Sequence, residues 1–200
     1  MNKVYLIGRD DVPGKLILGR EESMNMAIIV LPGVSAELHL EIELAAPGAE
    51  LFLSGLYLCP GEEKLSFDIS VRHSFAGCSS RQLFKGIVGG KARCDFNGLI
   101  YVARDSQKTK AFQENHNILL SEAAHVETRP QLEIYADDVE CSHGATVGKL
   151  DEQELFYMRS RGIPEVDAKV LQMISFISPI VDKIDDETLR EQIYDSLSEC

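Results

Sequence analysis

The sequence predicts a mainly β chain: a core of short stacked strands over residues 1–150, followed by an α-helical module over residues 151–200. Three observations predict it. From about Lys3 to Val147, runs of alternating apolar residues are punctuated by Gly, Pro and Asx, which is the two-residue period of half-buried strands with turn chemistry between them. Helical spacing is nearly absent from that region. At Asp151 the pattern changes, and apolar residues recur at three- and four-residue intervals to the end.

The strand runs include Lys15 to Leu18, Ala27 to Leu31, Glu37 to Leu44, Glu50 to Leu58 and Leu65 to Val71. In Glu37-Leu-His-Leu-Glu-Ile-Glu-Leu44, Leu38, Leu40, Ile42 and Leu44 share one face, while His39, Glu41 and Glu43 share the other. The series continues through Arg81 to Val88, Ala92 to Val102, His116 to Leu120 and Gln131 to Ala136, so about nine strands are expected. A recurrence on the order of 13 to 20 residues suits a solenoid rung and a sandwich strand equally. Periodicity leaves the two open.

In the second region Asp151 is an expected N-cap, with Glu154 three residues on and Gly162 as the stop signal. Pro164 opens a second helix whose Val166, Val170, Met173, Ile174 and Ile177 share a face, and Pro179 ends or kinks it. Asp185 or Asp186 caps a third helix, with Leu189, Ile193 and Leu197 one turn apart. Leu155 to Met158, followed by Arg159 and Arg161, carry more apolar surface than three short helices bury among themselves. That surface packs on the β core or on another protein.

Composition narrows the function classes. The 200 residues are 44% hydrophobic, enough for one sizeable core. With 20 Lys plus Arg against 32 Asp plus Glu, the formal charge of -12 repels phosphate backbones and anionic lipid, so neither nucleic acid nor membrane is an expected partner. The longest apolar stretches, Met26 to Val34 and Val170 to Val181, fall short of the roughly 18 residues a helical span requires. Cys59, Cys78, Cys94, Cys141 and Cys200 are scattered, odd in number and lack a CxxC pair, which points to reduced thiols and a cytoplasmic setting.

The cluster richest in ligand chemistry runs from Glu133 to Gly148, read as a strand leading into a Gly-flanked turn that carries Asp137, Asp138, Glu140, Cys141 and His143. Thiolate, imidazole and carboxylate are iron and zinc ligand types, and Cys141 and His143 share a face of an extended strand. The bland reading is a buried Cys and a structurally bonded His. No G-x-S-x-G or H-E-x-x-H occurs, and Gly86 to Ala92 lacks the first Gly and closing Ser or Thr of a phosphate loop. His73, Cys78 and Ser80 sit in ordinary strand and turn contexts, and Cys59 and Cys94 read as small hydrophobes.

Gln131-Leu-Glu-Ile-Tyr-Ala-Asp-Asp-Val-Glu-Cys-Ser-His-Gly-Ala-Thr-Val-Gly148 and Asp151-Glu-Gln-Glu-Leu-Phe-Tyr-Met-Arg-Ser-Arg-Gly-Ile163 strongly resemble the SufB/SufD family of iron–sulfur cluster assembly scaffolds, on its SufD side. Ser79-Ser-Arg-Gln-Leu-Phe-Lys-Gly86, Gly90-Lys-Ala-Arg93 and Phe96-Asn-Gly-Leu-Ile-Tyr-Val102 extend the likeness upstream. The resemblance implies a right-handed parallel β-helix and a non-enzymatic scaffold that works with a SufB-like paralogue and a SufC-like ATPase. It places the sulfur-accepting Cys of SufB-type chains near Ala124 and a carboxylate near Gly144, neither of which is present. It makes His143, with Cys141 beside it, an interface ligand for transient iron or a nascent cluster, with no stably bound cofactor. The ATPase is expected on Asp151, Leu155, Phe156, Tyr157, Arg159, Arg161 and Gly162. Family members are considerably longer, with an N-terminal helical region and further rungs, so the chain reads as a fragment or a minimal homologue. Rung edges exposed by a shorter β-helix would be covered by pairing of two copies, which predicts a homodimer. The competing readings are a metal-dependent enzyme using Cys141, His143 and Asp138, and a purely structural β-solenoid that binds proteins.

Overall fold

The computed structural model describes residues 2–200. Among them eleven strands precede three helices: β1 (Asn2–Leu6), β2 (Lys15–Leu18), β3 (Ser23–Val30), β4 (Ala36–Leu44), β5 (Glu50–Cys59), β6 (Lys64–His73), β7 (Ser79–Val88), β8 (Arg93–Val102), β9 (Thr109–Leu119), β10 (His125–Ile134), β11 (Val139–Gly148), α1 (Glu152–Ser160), α2 (Glu165–Val181) and α3 (Glu187–Ser196). The odd strands form a six-stranded sheet in the order β1-β3-β5-β7-β9-β11, and the even strands form a five-stranded sheet facing it. Every pairing is parallel; Glu50 opposes Ser79, and Lys64 opposes Arg93. The chain therefore crosses from one sheet to the other and returns one level higher each time. That is a β-solenoid, which resolves the choice left open by periodicity.

Two strands beyond the expected nine are present, β1 and β11. The turn in the ligand-rich cluster falls at residues 135–138, and Val139–Gly148, expected as a Gly-flanked turn, is itself a strand. Its parallel pairing with β9 supplies the backbone partners that its weak side-chain pattern does not advertise.

The space between the sheets is filled by rings. Tyr57, Phe67, Phe84 and Phe96 are all buried and stack in sequence with centroid separations of 5.3, 5.9 and 4.8 Å. Room for them comes from missing side chains: a Cβ on Gly55 would lie 2.1 Å from Phe84 Cδ1, and one on Gly86 would lie 2.1 Å from Tyr57 Cε2. The corners are pinned as well. Glu63 is buried, and its carboxylate accepts from Gly33 N at 2.9 Å and Gly61 N at 2.8 Å, tying two successive turns together.

The helices cover part of the outer face of the six-stranded sheet. Asp151 caps α1 by accepting from Gln153 N and Glu154 N, and Gly162 (φ 89°) ends that segment. Pro179 does not end α2, which runs on to Val181. Proline has no N–H for the Ser175 carbonyl, and Ser178 Oγ donates to that carbonyl instead at 3.1 Å. Asp186 caps α3 through Leu189 N. Met173, Ile177, Ile180, Leu189, Ile193 and Leu197 pack with Leu6, Ile29, Leu56, Leu58 and Ile87 of the solenoid as a second apolar core. Val166, expected on this buried face, is instead 71% exposed.

Because a methyl group at residue 55 has nowhere to go, Gly55→Ala should destabilise the chain by about 1–3 kcal/mol. Chemical denaturation should show a lower midpoint at unchanged m-value.

Candidate functional site at the open rung

Each inward-facing strand position in the solenoid is normally covered by the rung above. At β10 and β11 no rung follows among the described residues, because these are the terminal strands of their sheets. Inward positions that are sealed elsewhere are therefore partly open here: Val147 is 43% exposed and Ile134 38% exposed. Both strands also present free backbone edges, the feature of a sheet that invites another chain.

His143 lies on this rung. It pairs in register with the buried Gln113 of β9 and shares the inward side of β11 with Cys141, yet its side chain is exposed because nothing lies above it. Cys141 sits lower, half-buried against Ile100, Val102, Ala111 and Ala136. Burial pushes its thiol up from the ordinary value, opposed by the backbone at Ala111, so it is a protonated thiol at neutral pH. Glu140 points to the other side of the strand and pairs with Lys110 at 3.2 Å. No three His, Cys, Asp or Glu side chains gather closely enough to hold a metal ion among the described residues. The strand thus offers one accessible imidazole with a thiol behind it, and Asp138 is not assembled with them.

Below the open rung the interior turns polar. Gln113 donates to Gln82 at 2.9 Å, Asn117 donates to Asn115 at 2.7 Å, and Tyr57 donates to Asn117. Burial pushes the Tyr57 phenol far up, so it stays a donor. These residues escaped sequence reading because Asn and Gln in strands look like surface residues. Their only signal was position, every second residue in register with apolar core.

On the helical module the expected docking residues divide. Asp151 is engaged in capping and Leu155 is buried. Phe156 and Tyr157 are 74% and 59% exposed, with Arg161 over the Tyr157 ring at 5.3 Å and Arg159 paired to Glu165 at 3.3 Å. Leu171, not anticipated, lines a shallow hollow with Tyr157, whereas Val166 is exposed at a different hollow beside Leu155. Gly162 lies beside it at the exposed helix end.

His73 and Ser80 do meet, with Nε2 and Oγ 2.8 Å apart, but both are sealed in the interior and His73 Nδ1 has no partner. Without access or an orienting carboxylate this pair is structural rather than nucleophilic. Cys59 and Cys94 are buried as expected of small hydrophobes; hydrogen bonding between them, together with burial, raises the Cys59 thiol. All five cysteines are free, and no helix among the described residues is long and apolar enough to cross a membrane.

The described residues form a parallel β-solenoid with an open, histidine-bearing rung and an exposed aromatic helix. The sequence matches the family described as SUF system FeS cluster assembly, SufBD core domain, over residues 14–176, and the chain belongs to that family. It is 38% identical to the iron–sulfur cluster assembly protein SufD of Escherichia coli over 178 residues, covering 89% of this chain and 42% of that protein. It is 33% identical to the chloroplastic protein ABCI7 of Arabidopsis thaliana over 77% of this chain and 33% of that one. A SufBD family protein of Synechocystis is 43% identical over 53% of the chain and 23% of its own length. The chain thus spans less than half the length of these relatives.

Burial lowers the His73 imidazole to about 4 from its ordinary 6.5. A depressed base means that the unfolded chain takes up a proton that the native chain refuses, so stability is full above about pH 6.5 and falls as pH drops toward 4. At about 1.4 kcal/mol per unit, the loss is roughly 3 kcal/mol. Denaturation series across that range should show it, and His73→Leu should remove that part of the slope.

Proposed function

We propose that the chain is a non-enzymatic scaffold of SUF iron–sulfur cluster assembly that holds a SufC-like ATPase on its helical module and shares a cluster-handling site at its open rung. The observation that supports this reading is the coexistence of two unsealed surfaces on one rigid frame. The first is the aromatic pair Phe156 and Tyr157, exposed although Leu155, Met173, Ile177 and Ile180 of the same helices are buried. Such a patch flanked by Arg159 and Arg161 suits an apolar, acidic groove on a partner.

The second surface is the open rung, where a SufB-like paralogue or a second copy would continue the sheets and cover the interior. A chain that adds its own strands there satisfies the free edges of β10 and β11 and places its own side chains over His143. One imidazole is an incomplete ligand set, so iron or a nascent cluster would be held as cargo between two chains, not as a resident cofactor. The absence of an assembled Cys141, His143 and Asp138 group disfavours a metalloenzyme acting from this chain alone.

Mixed anaerobically with a SufC-like ATPase, the protein should co-elute with it on gel filtration. Phe156→Asp with Tyr157→Asp, or Arg159→Glu with Arg161→Glu, should abolish or weaken that complex; failure to co-elute in every nucleotide state would refute the docking role. Light scattering should give a dimeric mass for the isolated chain, and Val147→Asp, which places a charge on the open rung, should give the monomer.

A further inference from the structure

Directly beneath His143 the interior contains an acceptor without a donor. Gln113 opposes His143 across β9 and β11 and opposes Gln82 across β7 and β9, so the three residues form one inward column. Gln82 and Gln113 are 1% and 0% exposed. Gln113 Nε2 donates to Gln82 Oε1 at 2.9 Å, which commits the nitrogen end of its amide. The same amide lies over Gly98 of the opposite sheet, where a Cβ would come within 2.4 Å of Gln113 Oε1. Held on two sides, Gln113 is left with a buried Oε1 that has no hydrogen-bond partner.

An amide oxygen stranded in an interior forfeits its hydration without a replacement, so the fold gains when a donor reaches it. The side chain next in the column is an imidazole, on a strand one spacing of roughly 4.8 Å above, and in the free chain it makes no hydrogen bond to that oxygen. Two other buried atoms close by lack a partner, Gln82 Nε2 on β7 below and Thr128 Oγ1 on β10; Gln82 already meets Gln113 through its oxygen, and a hydroxyl turns either way and selects no particular donor. An imidazole N–H does select. Whichever ring nitrogen carries that hydrogen toward Gln113, the other must be the bare one.

We infer that Gln113 is a positioning residue for His143: its Oε1 accepts a ring N–H, which holds one tautomer and directs the remaining nitrogen lone pair toward the open end. The inference rests on the reading of His143 as a shared iron ligand. It supplies what that reading lacks, a reason for a solvent-facing ring to present one nitrogen consistently. A hydrogen bond from the far side of a ligating imidazole orients the ring and makes it a stronger donor to iron. Gln82 and Gly98 act one step further back, by fixing the amide.

The test uses the full chain labelled with ¹⁵N-histidine, in its complex with a second copy or a SufB-like paralogue, at about pH 8.5. Long-range ¹H–¹⁵N spectra, assigned with His143→Gln, should show one protonated and one bare ring nitrogen for His143. In Gln113→Leu the two signals should move toward a common average, whereas Gln113→Glu, which keeps an acceptor, should preserve their separation. Gly98→Ala, which displaces the amide without altering Gln113, should reproduce the averaging and serves if Gln113→Leu does not fold. A separation unchanged in both Gln113→Leu and Gly98→Ala overturns the inference. Anaerobic Fe(II) separates the two failures: broadened His143 signals with an indifferent tautomer sink the positioning role alone, and His143 signals untouched by Fe(II) sink the ligand reading and this inference with it.

Discussion

The constraint on which the rest of the structure depends is the narrow space between two parallel sheets. Facing sheets lie about 10 Å apart, and a ring lying in that space leans over the neighbouring strand of its own sheet, whose paired position must have no side chain. Phe84 against Gly55 and Tyr57 against Gly86 satisfy this condition on neighbouring rungs. Register follows, because sliding any strand by one residue would turn its rings outward and its polar face inward. Fixed register in turn sets one column of residues above another, and the columns bring Gln82, Gln113 and His143 into line.

The functional surfaces arise where this regularity stops. Within the stack, inward positions are sealed by the rung above and outward positions of the six-stranded sheet are partly sealed by α2 and α3. At the terminal rung the same inward positions lose their cover, and a histidine that would be sealed one level lower is open to a partner. The helical module behaves likewise. Leu155 and Met173 are absorbed into packing, while Phe156, Tyr157, Val166 and Leu171 are left over. Both surfaces are residues of ordinary types placed where packing ends.

Much of the fold was legible because alternation and capping are local. Leu40, Ile42 and Leu44 point inward as the period of two requires, and Asp151, Gly162 and Asp186 act where helix chemistry places them. The choice between sandwich and solenoid was not legible from pattern, since it depends on which strands pair, and Glu50 meets Ser79 only through the closed circuit between them. β11 was read as a Gly-flanked turn, with only Cys141 and His143 set on an extended strand, because Gly144 and Gly148 lack strand propensity; pairing on one edge outweighs it. Of the two outcomes expected at Pro179 the stop does not occur, because a neighbouring serine hydroxyl supplies a donor to the freed carbonyl. His143 was identifiable by residue type and resemblance, but the amide beneath it was not, because only register reveals that column.

The route of α2 and α3 back over the first rungs has a consequence for biosynthesis. Leu6, Ile29, Leu56 and Leu58 belong to strands translated before β11, whereas the residues that shield them, from Met173 to Leu197, emerge after it. Until then a growing stack carries an uncovered apolar strip along one wall, the type of surface that chaperones recognise and that nascent chains use to stick to one another. Late arrival of the helices makes them a closing clasp, and a ribosome that stalls before residue 173 leaves behind a sticky, half-dressed stack.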